Sequence, residues 1–149
     1  MTILEALTEA NTAAGIKTFS FANLQEFNSF IDSFKGLDYP VNVIVPVPLT
    51  GNLLPSRTKD VLNIQGWMLT RIKEDTNNYR SAKIEDDYIH PMRKLAKKFL
   101  VNLCQTDIVD PEIDDIGYSI RPEYMFLATH VFGVSYTCNL PINSKICGC

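Results

Sequence analysis

The chain has 149 residues, 46% hydrophobic and 21% charged, and a formal net charge of −3 at pH 7. That is enough to bury the core of one ordinary domain. No stretch approaches the ~20 apolar residues that span a bilayer, and the slight acidity argues against a protein whose main business is coating nucleic acid.

The opening segment "MTILEALTEANTAAG" has neither the basic start nor the continuous apolar run of a secretory signal. The protein is therefore expected to be made in a cytosol, with its four cysteines as reduced thiols. From Thr2 to Ala14 the spacing predicts a helix with Ile3, Leu7, Ala10 and Ala14 on one face, Thr2 capping its start and Gly15 ending it. A second helix is expected from about Leu24 to Lys35, with Asn23 and Glu26 at capping-box spacing and Phe21 and Phe27 as a hydrophobic staple. Leu24, Phe27, Phe30, Ile31 and Phe34 would form its buried face, and Gly36 would end it.

The period then changes to two. "PVNVIVPVPL" places Val41, Val43, Val45 and Val47 on one side of a strand, and Pro46 and Pro48 make it an edge strand or one interrupted midway. "TGNLLPSRTKD" reads as a polar, turn-rich loop. "VLNIQGWMLTRI" alternates again, with Leu62, Ile64, Met68 and Ile72 facing one way and Asn63, Gln65, Trp67 and Arg71 the other. "KEDTNNYRS" is turn-like.

Helical period returns from about Lys83 to Cys104, where Ile84, Tyr88, Met92, Leu95, Phe99 and Leu103 form one stripe widened by Ala96 and Leu100. Pro91 predicts a kink or break near His90. The acidic stretch "QTDIVDPEIDDIGYSIRPE" reads as a loop with a short strand at Gly117 to Arg121. "YMFLATHVFGVSYTCNL" alternates strictly, with Phe132, Val134, Tyr136, Cys138 and Leu140 on the face that also carries Tyr124, Phe126, Ala128 and His130. Gly133 is expected to mark a bulge or bend, and Pro141 to stop the strand before a short C-terminal arm, 141–149. There is no internal repeat and no low-complexity segment. The expected fold is a single α+β domain, 1–149, with an antiparallel sheet and helices packed on one face.

The cysteine-rich end raises the question of a metal. His130, Cys138, Cys147 and Cys149 supply atoms that zinc takes, but the spacing lacks the usual C-x2-4-C knuckle. On an extended strand His130 and Cys138 lie about 26 Å apart, so no metal and no cofactor is expected. Bridging Cys147 to Cys149 would close a tiny strained ring, which leaves Cys104 or Cys138 as the better partner for either. Neither His90 nor His130 stands beside a recognisable nucleophile. Glu85, Asp86 and Asp87 suit the first turn of a helix better than a cation, because they oppose its dipole. No phosphate-binding glycine motif occurs. Arg93, Lys94, Lys97 and Lys98 form a solvated helix face that could also meet DNA or an acidic neighbour. No catalytic residue emerges, and the protein is not expected to be an enzyme.

In its order of elements the chain resembles the tail-terminator and neck proteins of tailed bacteriophages. The resemblance rests on the N-terminal helix, the paired strands, the helix around "YIHPMRKLAKKFLVNL" and the closing strand "HVFGVSYTCNL". The stretch "NIQGWMLTRIKED…YRSAKIEDDYIHPMRKLAKKFLVNL" is similar to proteins from phages of Bacteroidetes hosts, including the crAss-like group. The aromatic second helix and the Cys-x-Cys tail depart from a minimal tail-terminator pattern. The resemblance implies a tail-terminator-like fold and a structural virion protein, made in the host bacterial cytoplasm, whose copies form a ring in the neck or tail. Its partners would be further copies, other neck, portal or tail proteins and, non-specifically, packaged DNA; no membrane is involved. The family supplies no catalytic residues. The loops Thr50 to Asp60 and Thr106 to Glu123 become the expected contact elements. Candidate interface residues are Arg57, Lys59, Trp67, Arg93, Lys94, Lys97, Lys98, Asp110, Glu112, Asp114, Asp115, Cys147 and Cys149. The terminal arm is expected to reach a neighbouring subunit. The alternatives are a homo-oligomeric adaptor outside any virion and a small hydrolase or nuclease.

Overall fold

A computed structural model describes residues 1–21, 38–45, 49–53, 58–71, 84–113, 115–123 and 131–142. The expected second helix (24–35), the segment 72–83 and the residues 143–149 lie outside them. In chain order the described elements are α1 (Ile3–Ala13), β1 (Thr18–Phe21), β2 (Val41–Val45), β3 (Leu49–Leu53) and β4 (Thr58–Arg71). A π-helical turn (Glu85–Ile89) follows and runs into α2 (His90–Cys104), then come β5 (Tyr118–Glu123) and β6 (Val131–Ile142). The class is α+β, with α1 and α2 on one face of a six-stranded sheet.

Strand order is β1-β2-β4-β6-β5, with β3 also paired to β4. The sheet is mixed rather than antiparallel, because β1 and β2 run parallel. Parallel pairing requires a long crossover, and the connection 22–40 is long enough to supply one. Helical and alternating periods carry no sign of such a pairing, and β1 itself is too short to show an alternation.

α1 forms where its pattern predicts. Thr2 Oγ1 accepts the Glu5 N–H at 3.1 Å and Glu5 accepts the Thr2 N–H at 2.6 Å, a reciprocal cap that satisfies two otherwise unpaired donors. Gly15 follows at φ +79°, a left-handed conformation that suits glycine. The buried face is Ala6, Leu7, Ala10 and Asn11, with Ile3 only partly buried.

The π turn answers the question that Pro91 poses. Inside a regular helix the proline ring would press on the carbonyl four residues back. Here the His90 N–H bonds to the Glu85 carbonyl, five residues back, and Pro91 occupies the first turn of α2. Backbone angles stay helical through Ile89 and His90, so the path is continuous and the irregularity is one widened turn. The extra residue also resets the stripe. Ile84 and Ile89, five apart, are buried, while Tyr88 is only half-buried.

At the centre β4 and β6 pair without interruption from Asp60↔Ile142 to Arg71↔Val131. Alternation sends Leu62, Ile64 and Met68 of β4, and Phe132, Val134, Tyr136, Cys138 and Leu140 of β6, into the core beneath the helices. Val41, Val43, Trp67, Leu69 and Val131 form a second buried cluster on the opposite face.

Of three expectations about interruptions, one alternative of the first holds and the other two are corrected. The "PVNVIVPVPL" strand is interrupted rather than an edge. β2 lies between β1 and β4, and β2 and β3 both pair along β4. From Val45↔Gln65 to Leu49↔Leu62 the β2–β3 side advances four residues while β4 advances three; the prolines at 46 and 48 lie outside the described residues. Gly133 marks no bulge, since its pairing with Leu69 keeps the register of its neighbours. It permits close approach: a methyl group there would lie 2.9 Å from the Leu69 Cα and collide with the Met68 carbonyl oxygen. Pro141 does not stop β6, which continues to Ile142. Its carbonyl accepts the Asp110 N–H at 3.0 Å. A strand residue's nitrogen and carbonyl face the same side, so the missing N–H points away from β4 and removes no bond of that ladder.

Candidate functional site

Two features of the described structure stand apart from ordinary core and surface. The first is the arm formed by β3 and the start of β4. The stretch Thr50 to Asp60, expected as a loop, is a β-hairpin apart from its connection 54–57. All five residues of β3 are exposed, Leu49 at 47% and Leu53 at 88%. Pairing between β4 and β6 begins only at Asp60↔Ile142, so among the described residues the ladder at Thr58 and Lys59 is carried by β3 alone. The far edge of β3 has no described strand against it. At the other end of the sheet β5 is an edge strand, exposed or half-buried throughout, with Tyr118 54% exposed. Pro122 sits in this edge strand, a position that tolerates proline.

The second feature is an apolar groove of about 280 Å3 between the end of α2 and the β5–β6 pair, lined by Lys97, Leu100, Val101, Cys104, Ile116, Tyr118 and Cys138 among others. Cys104 closes α2 and is half-buried, while Cys138 points into the core from β6. The two thiols lie close enough to shift each other's ionisation in opposite directions. The neighbouring Cys138 S–H holds the Cys104 thiol down to about 7, against the pull of partial burial. Cys138 is pushed up by the neighbouring Cys104 sulfur, by burial and by the charge of Cys104. Both are free cysteines.

The sequence-predicted residues do not assemble at one place. Trp67, expected at an interface, is buried in the second cluster with Val41, Val43, Leu69 and Val131, because its β4 position faces the covered side of the sheet there. Arg93 is engaged within the chain: its guanidinium bonds Glu85 at 2.6 Å across the π turn. Lys94, Lys97 and Lys98 are exposed, with Lys97 on the groove. The loop Thr106 to Glu123 is held more firmly than expected. Thr106, Ile108 and Val109 are buried, Val109 bridges Ile142, and the strand expected at Gly117 to Arg121 is β5. Within it Asp110 has a local task, its Oδ1 accepting the Glu112 N–H at 3.0 Å. Glu112 and Asp115 are exposed. Arg57, Asp114, His130, Cys147 and Cys149 lie outside the described residues, as does the side chain of Lys59.

Among the described residues no group of three or more His, Cys, Asp or Glu side chains could hold a metal ion, and no helix is long and apolar enough to cross a membrane. The Cys104–Cys138 pair was not visible in the sequence. The two residues stand 34 positions apart with no motif linking them; Cys104 reads as the end of a helix and Cys138 as a strand residue or a zinc-type ligand, and each pairs on paper only with a terminal cysteine. The clue was there in two separate stripes, since Cys104 ends the α2 segment and Cys138 lies on the inward face of β6.

No protein-family model matches the chain, and no curated protein matches it.

Proposed function

We propose that the chain is a non-catalytic structural subunit that assembles with copies of itself into a ring in the neck or tail of a tailed-bacteriophage virion, as a tail terminator or head-to-tail connection. The observation that carries this is the β3 arm. A strand exposed along its whole length, bearing Leu49 and Leu53 and an edge with no described strand against it, is a liability for a solitary subunit and a ready contact for an assembled one. β3 and β5 are different surfaces. Contact between the β3 arm of one copy and another face of the next is heterologous, the kind of contact that closes into rings. The resemblance of the sequence to neck and tail-terminator proteins supplies the setting. In it, exposed Lys94 and Lys98 would face DNA or an acidic neighbour, and the arm 143–149 would extend the contact.

The test is light scattering and electron microscopy of the purified chain beside the double variant Leu49→Lys, Leu53→Lys. Rings are expected from the parent, and folded subunits of lower mass from the variant. A parent chain that stays monomeric and never joins portal or tail components sinks the proposal. Mass-spectrometric inventory of purified virions separates the virion protein from an adaptor: rings in solution but no copy in the particle favours the adaptor.

A further inference from the structure

We propose that Cys104 and Cys138 form a reversible dithiol–disulfide site, oxidised by hydroperoxides that enter the groove between α2 and the β5–β6 pair. Three observations place it there. The two cysteines come from different elements, one at the end of α2 and one on the central strand β6, yet lie close enough for each to shift the ionisation of the other. Both line the same groove, so the reacting atoms can be reached. Among the described residues the remaining lining is mostly apolar, with Leu100, Val101 and Ile116 beside Lys97 and Gln105, a surface that suits a small organic hydroperoxide.

The two cysteines differ in the way the chemistry needs. Half-exposed Cys104 is the nucleophile, because a thiolate attacks and a thiol does not. The Cys138 S–H supports that thiolate, and burial keeps Cys138 protonated until its turn comes. The Cys104 sulfur attacks the outer oxygen of the hydroperoxide, the O–O bond breaks, and the departing alkoxide or hydroxide takes up a proton. Cys104 is left as a sulfenic acid. The Cys138 sulfur then attacks the Cys104 sulfur, the S–O bond breaks, and the leaving hydroxide departs as water with the Cys138 proton. Two thiols and one hydroperoxide give one disulfide, one alcohol (or water) and one water. The two electrons lost by the sulfurs reduce the O–O bond.

The test uses the full chain, reduced and then treated with one equivalent of tert-butyl hydroperoxide, with free thiols blocked before peptide mapping. The expected product is a Cys104–Cys138 crosslinked peptide pair that dithiothreitol reverses. The oxidised protein should melt roughly 5–10 °C above the reduced one, since the bridge closes a loop of intermediate length. The Cys138→Ser variant should stop at a sulfenic acid on Cys104 that dimedone captures. In the unmodified chain, alkylation of Cys104 by iodoacetamide should reach half its maximal rate near pH 7. Cys138→Ala should move that midpoint up by about one unit or more, towards an ordinary thiol. Oxidation confined to Cys147 and Cys149, or a Cys104 alkylation profile in the parent chain that rises only near pH 8.5, would overturn the proposal without any variant having to fold.

Discussion

The Tyr136 hydroxyl donates to Asn42 Oδ1 at 2.5 Å, joining two fully buried side chains 94 positions apart. Asn42 Nδ2 in turn donates to Asn11 Oδ1 at 2.8 Å, and Asn11 Nδ2 to the Leu7 carbonyl at 2.9 Å. One polar chain therefore ties β6 to β2 and β2 to α1 through the core. Each link satisfies a group that would be costly to bury alone. Removing the hydroxyl strands an acceptor, so Tyr136→Phe should destabilise by about 1–2 kcal/mol. Asn11→Ala should cost at least as much, because it leaves Asn42 Nδ2 without its acceptor and opens a small gap. Urea denaturation of the three proteins measures both, and a neutral Tyr136→Phe would show that the hydrogen bond contributes nothing net.

The same tyrosine sets a limit at high pH. Burial pushes its ionisation well above the ordinary value of 10.0, and the Asn42 bond only partly opposes this. The folded state keeps the phenol proton where the unfolded state releases it. Stability from this group is thus complete below about pH 10 and is lost as pH rises above it, at about 1.4 kcal/mol per pH unit. Tyr136→Phe lacks the group, so its stability should fall less steeply between pH 9 and 11. Denaturation midpoints of parent and variant across that range check the prediction; parallel curves would contradict it.

The start of α1 gives a local prediction. Thr2→Ala removes one half of the reciprocal cap and should cost about 1 kcal/mol. The loss should appear as faster amide exchange in the first turn of α1, with α2 unaffected. Glu5 is held below its usual carboxylate value chiefly by the Thr2 backbone N–H. Its contribution is present above about pH 4.5 and is lost as pH falls through and below that value. First-turn protection in the parent chain should decline on acidification, and an unchanged exchange rate in Thr2→Ala would show the cap to be idle.

Local rules made part of this fold readable. Thr2 and Gly15 bracket α1 as their chemistry requires, and the alternation of β4 and β6 identifies the residues that face the helices. Pro91 announced an irregularity next to His90, though not that the chain would meet it with a π turn. What stayed hidden depends on partners far along the chain. Nothing in "TFSF" shows that β1 will lie parallel to β2. Trp67 looks like a surface aromatic among Asn63, Gln65 and Arg71 until Val41, Val43 and Val131 are brought against it. Arg93 reads as free charge until Glu85 is brought within 2.6 Å. The groove is legible only in three dimensions, since α2 and β6 each supply one cysteine.

The glycines rank themselves by what surrounds them. At Gly66 a methyl group would lie 2.7 Å from the Tyr136 ring carbon Cζ and 2.7 Å from the Val43 carbonyl oxygen, and would collide with the Tyr136 hydroxyl. Tyr136, paired opposite Gly66, thus lies across β4 in the space that a side chain would fill. At Gly133 the obstacle is the backbone of Met68 and Leu69, which cannot rotate away. Gly15 meets nothing within 4 Å, and its only constraint is φ +79°. Gly66→Ala and Gly133→Ala should each destabilise by roughly 3 kcal/mol or more, through forced shifts in a packed core. Gly15→Ala should lose only about 1 kcal/mol, the ordinary penalty of a left-handed residue. Combining Gly66→Ala with Tyr136→Ala should cost less than the two singles summed, because removing the ring frees part of the space; the Val43 contact remains. No shared space can relieve Gly133→Ala, so its cost should simply add to that of Tyr136→Ala. Denaturation of the single and double variants decides the matter, and strict additivity at Gly66 would mean that the ring is not what holds that position to glycine.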